Sequence, residues 1–177
     1  MKVWQWTGTD HVSPTIDAVQ LRDASDIVLR HRSAGRLLVP RTPGGIQIVV
    51  EAWDQVDGNL PRRRLGLYAL GYQVLARDGS ALPGFERPRM NIVFDAIPRD
   101  DAAARVIYAP ESGETVHGSA RTRFLYAVTH VLRHGEASDG MWDAGALPPG
   151  DYLIRVVATD WSGNIAQVHR DVPITLQ

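Results

Sequence analysis

Six histidines, His11, His31, His117, His130, His134 and His169, are the nitrogen donors in a chain that has no cysteine. His130 and His134 stand four residues apart, a spacing that shares one metal ion only on a helix. The run 124–131 around the first of them is rich in aromatic and β-branched residues and predicts a strand. There an i,i+4 pair lies about 13 Å apart and cannot ligate jointly. A metalloprotease helix also needs Glu directly after the first His, where this chain has Val131.

Oxygen donors form a second candidate. Asp54, Asp57 and Asn59 lie in Asp-Gln-Val-Asp-Gly-Asn with a Gly for the bend, a calcium-like pattern without the bidentate Glu of an EF-hand. The same residues close a turn by bonding their own backbone, and the sequence leaves both readings open. Carboxylates are plentiful, among them Glu51, Glu86, Asp95, Glu111 and Glu114, but their spacing pairs no two across a substrate. No Gly-x-Ser-x-Gly and no phosphate-binding Gly loop is present. The residues therefore assign no catalytic group and no cofactor.

The elements that must carry these groups are short. Gly, Pro, Asp and Asn punctuate the chain and leave β-rich runs at 16–22, 27–30, 46–54, 67–76, 90–94, 124–131, 151–160 and 165–175. One helical turn is expected over 99–105, where an Asp-Asp start precedes three alanines. That count is the count of an all-β sandwich. Residues 1–12 read as an N-terminal extension, and residues 13–177 as one elaborated immunoglobulin-like β-sandwich. A long inserted loop region, about 81–118, is rich in Pro and Arg and offers a contact surface or an arm across the scaffold. The stretch 150–164, Gly-Asp-Tyr-Leu-Ile-Arg-Val-Val-Ala-Thr-Asp-Trp-Ser-Gly-Asn, reads as a strand followed by a tight hairpin turn held by Asp160 and Asn164.

Surface candidates follow. Met141 and Trp142 fall in a loop, where an aromatic either contacts a partner or plugs the open end of a sandwich. Trp4 and Trp6 share one face of an extended segment that packs on the body or on another polypeptide. Arg62, Arg63 and Arg64 form a basic run, read as an anion contact or as a solvated edge that discourages sheet pairing. Nineteen basic and twenty acidic residues give a net charge of −1, without the field that draws nucleic acid or an anionic membrane. No apolar run reaches the roughly 18 residues that insertion in a bilayer needs. Residues 1–6 lack the apolar core of a secretory signal, so an exported protein with this sequence would be a processed piece of a longer chain.

Two stretches carry a resemblance. Ile-Val-Val-Glu-Ala-Trp-Asp-Gln-Val-Asp-Gly-Asn, with the Leu-Gly-Leu-Tyr strand entry after it, and the closing Asp-Trp-Ser-Gly-Asn hairpin are similar to the immunoglobulin-like companion domain of bacterial lysostaphin-type (LytM-like) zinc endopeptidases. The likeness spans roughly 46–166. The peptidase's zinc motifs, His-x-x-x-Asp and His-x-His, are absent from this sequence, so no catalytic residue carries over. The resemblance implies a non-catalytic accessory module at the cell envelope, periplasmic or extracellular, that contacts a protein partner, a linked peptidase domain or peptidoglycan. Two alternatives stand beside it: a small carbohydrate-active or wall-degrading hydrolase on a β-scaffold, and a homo-oligomer assembled through the N-terminal strand.

Overall fold

Alternation at a period of two builds the core. In β4 (Gln47–Trp53) Ile48, Val50 and Ala52 are fully buried, and in β10 (Gly150–Thr159) Ile154, Val156 and Ala158 are as well. Successive strand residues point to opposite faces, so each set lines one side of its sheet. Truncating one such residue, Ile154 to Ala, would cost about 2–5 kcal/mol through lost burial and the cavity left behind.

The computed structural model describes residues 10–60, 63–100, 102–113 and 122–177. Among these, β1 (Thr15–Arg22), β4 and β7 (Leu125–Ala127) form a three-stranded antiparallel sheet in the order β1-β4-β7. The larger sheet joins β2 (Arg32–Ser33), β3 (Arg36–Val39), β5 (Ala69–Ala76), β6 (Arg89–Val93), β8 (Val131–Arg133), β9 (Glu136–Ser138), β10 and β11 (Asp171–Leu176). Its order is β2-β3-β11-β10-β5-β6-β8-β9, with parallel pairing only at β3–β11 and β6–β8. Ile16, Ile48 and Tyr126 of the small sheet and Leu70, Ile154 and Ile174 of the large one belong to a single apolar cluster. The chain is therefore an all-β fold of two sheets packed over one core.

Several elements depart from the expected ones, each for a local reason. The run 124–131 is not one strand: after β7 the chain turns, with His130 N–H donating to the Ala127 carbonyl, and re-enters the other sheet as β8. His130 and His134 consequently flank β8 instead of sharing it. His134 takes a positive φ of 51° and Gly135 one of 77°, which closes the β8–β9 hairpin. The expected strand 165–175 begins only at Asp171, because His169 also sits at a positive φ, 58°, and interrupts the extended chain. Residues 27–30 contribute one isolated bridge, Val28 to Arg22. The helix, α1, spans Ala102–Ile107, shifted toward the carboxyl end, with Asp100 accepting from the Ala102 N–H at its start.

The 81–118 region is not all loop, since it contains β6 and α1. Between Leu70 and Tyr72 the β5–β6 register slips, and Gly71 lies there against the Arg89 carbonyl, where a Cβ would collide.

Candidate metal centre

Three carboxylates meet at one pole of the sandwich. Asp54 directly follows β4, and its backbone N–H and C=O both pair with Leu65, at 2.9 Å each. Asp160 directly follows β10, on the other sheet. Its side chain builds the expected turn: Oδ1 accepts from the Asn164 N–H at 2.8 Å and Oδ2 from Asn164 Nδ2 at 2.7 Å, with Gly163 at φ 90° between them. Asn164 Nδ2 also donates to the Asp10 carbonyl at 2.9 Å, which holds the segment ahead of β1 across this pole. Asp10 Oδ1 then accepts from the backbone N–H of Val12 and of Asp57, both at 3.1 Å.

Asp10, Asp54 and Asp160 are only 5%, 6% and 3% exposed, and each places a carboxylate oxygen within 4.8 Å of those of the other two. Oδ1 of Asp54 is buried with no hydrogen-bond partner. Among the described residues, none of the three carboxylates makes an ion pair. Burial pushes the Asp54 carboxyl up to about 6; a backbone N–H bond from Gln55 opposes the shift, and the charges of Asp160 and Asp10 add to it. Buried like charges without a counter-cation are costly to fold. Its donors are all oxygen, which suits a hard cation and not the nitrogen and sulfur preference of zinc or copper.

Of the three calcium-like residues in the 54–59 loop, only Asp54 belongs to this cluster. The Asp57 carboxylate instead accepts from the His11 backbone N–H at 3.2 Å and meets His11 Nδ1 at 2.8 Å. The Asn59 side chain accepts from the Leu60 N–H at 2.9 Å. Asp10 and Asp160 come from elsewhere in the chain. The Asp160 turn was legible; that its carboxylate also faces Asp54 was not, because the meeting depends on the two sheets packing.

Among the described residues the histidines do not assemble. His130 is buried, with Nδ1 at 2.6 Å from the Val106 carbonyl and Nε2 at 3.0 Å from the Gln47 amide. His134 pairs with Asp95 at 3.1 Å, while His117 lies outside the described residues. Glu86 accepts from Gly84 and Glu111 pairs with Arg22, so these carboxylates and Asp95 each have a partner of their own.

The surface candidates divide. Trp142 is 2% exposed, bridges Ile46 and joins the main core, so its ring is not presented to a partner. Met141 beside it remains half-exposed. Arg64 lies over the Trp53 ring at 4.5 Å and pairs with Asp17 at 3.0 Å, and Arg63 is exposed. Trp4, Trp6 and Arg62 lie outside the described residues. Among the described residues the exposed tryptophan is Trp161, in the turn after β10, 78% accessible and set edge-on to Tyr68 at 4.7 Å. Ile165 and Val168 of the same connection are exposed too. A separate apolar cleft of about 520 Å³ lies between Tyr108, Pro110 and Phe124. No helix among the described residues is long and apolar enough to cross a membrane.

Compared with family models, curated proteins and solved structures, the chain finds no match in any of the three.

Proposed function

We propose that this chain is a non-catalytic, immunoglobulin-like accessory module of a bacterial cell-envelope protein, acting by surface contact with a protein partner or with peptidoglycan beside an endopeptidase. The observation that carries the reading is the β10–β11 connection, which presents Trp161, Ile165 and Val168 to solvent. Apolar side chains grouped on one exposed loop are the composition of a contact surface and cost solubility otherwise. The same connection contains the Asp-x-x-Gly-Asn turn of the resemblance, so the motif that suggests the family also shapes the contact loop.

Co-sedimentation of the purified chain with isolated peptidoglycan sacculi, with mass spectrometry of the supernatant, tests this. The expected result is binding without new soluble fragments, reduced at least fivefold by W161A combined with V168S. Released muropeptides would overturn the non-catalytic reading. Binding unchanged in the double variant would move the contact away from this loop, and the absence of binding would remove the wall and leave the protein partner.

A further inference from the structure

We propose that Asp10, Asp54 and Asp160 form a Ca²⁺-binding site that ties the segment ahead of β1 to both sheets. This stands independently of the accessory-module reading, since it rests on the pole itself. Three carboxylates, each at least nine-tenths buried, bring oxygens within 4.8 Å of one another. Oxygens bound to one Ca²⁺ at about 2.3–2.6 Å can be separated by up to twice that length, so the three fit one ion.

A cluster of acids alone would not justify an ion. Here a second observation points the same way: Oδ1 of Asp54 is sealed from solvent and bonded to nothing. Buried polar atoms in folded proteins nearly always have a partner. The other two aspartates are held by the backbone and by Asn164, which fixes their carboxylates in place while leaving the Asp54 oxygen to be satisfied by something the described residues do not supply. The required group must carry positive charge, accept only oxygen donors and tolerate an irregular shell. Ca²⁺ meets these terms better than Mg²⁺, which demands near-ideal octahedral geometry at about 2.0–2.1 Å. Water would complete the coordination.

Sequence separation gives the site its consequence. Asp10, Asp54 and Asp160 come from the segment before β1, the end of β4 and the end of β10, so one ion crosslinks three parts of the chain that lie far apart in sequence. Binding would stabilise the fold as a whole.

The test uses the full chain, stripped of divalent ions at pH 7.5, with CaCl₂ followed by calorimetric titration and by thermal melting. Three carboxylates suit a dissociation constant on the order of 10⁻⁴ M, within the range of extracellular calcium modules. A melting temperature raised by about 5–10 °C at 10 mM Ca²⁺ is expected, with a smaller rise for Mg²⁺ and none for NaCl of equal ionic strength. D54N, which removes a charge but no hydrogen bond made by Oδ1, should weaken binding at least tenfold while melting cooperatively without Ca²⁺. D10N serves the same purpose if D54N does not fold. No Ca²⁺-specific shift up to 10 mM, or a shift of full size in the folded variant, would overturn the site.

Discussion

Glu51 and Asp54 lie three residues apart along β4 and its end, and they are charged in opposite surroundings. Glu51 receives a two-pronged bond from Arg123, Nε to Oε1 at 2.8 Å and Nη2 to Oε2 at 2.7 Å. That bond, with the positive charges of Arg123 and Arg64, holds its carboxyl below the usual range although burial opposes it. Among the described residues Asp54 has no such cation; burial raises it to about 6, and its neighbours Asp160 and Asp10 push the same way. One carboxylate is satisfied by the described residues and the other keeps an oxygen without a partner among them. The difference marks where the fold is self-sufficient and where it is open to a ligand.

The two residues should therefore respond to neutralisation with opposite sign. Asp54 binds its proton more tightly folded than unfolded, so apo stability falls as pH rises from about 4 through 6. In EDTA at pH 8, D54N is expected to be more stable than the parent by about 2–3 kcal/mol, the order set by the shift from 3.8 to about 6. The gain should fade as pH falls below about 6, read by urea unfolding across the series. R123M should do the reverse, losing about 2 kcal/mol at pH 7 by leaving Glu51 without its charged donor. Glu51 has a lowered folded pKa, so its pairing contributes above the ordinary carboxylate range and is lost on acidification. The R123M deficit should shrink toward pH 3.

Smaller effects refine the contrast. The Tyr126 hydroxyl accepts from the buried Leu67 N–H at 3.1 Å, close behind Asp54. Y126F should cost about 1–2 kcal/mol in chemical denaturation, because that donor is then left unbonded. Arg64, stacked over Trp53 and paired with Asp17, sits on the Glu51 side of the same strand end. R64M should lose about 0.5 kcal/mol, the scale of a partly exposed cation–π contact and ion pair, and should leave Ca²⁺ binding unchanged.

Much of the scaffold was legible because period-two alternation is local. β1, β4, β5, β6 and β10 fall where apolar and β-branched runs stand between turn residues. What failed was set by non-local geometry. β2 and β3 are a short pair carried by the parallel partner β11, a contact no local pattern announces. His134 and His169 accept positive φ where a single sequence shows only a β-compatible residue. For the site, Asp54 was legible as an oxygen donor in a loop, while Asp10 and Asp160 became its companions only through packing of the two sheets. Trp142 and Trp161 show the same limit: both are tryptophans in loops, and only the fold decides that the first is buried and the second is exposed.

The most direct measurement is an NMR titration of the side-chain carboxyl carbons of Glu51 and Asp54, followed side by side in the ion-free protein and again with saturating Ca²⁺. We predict that Asp54 titrates near 6 without the ion, that Glu51 titrates below the usual glutamate range in both conditions, and that Ca²⁺ carries Asp54 down to join it. Two carboxyls titrating together at ordinary values, or an Asp54 indifferent to Ca²⁺, would contradict the account.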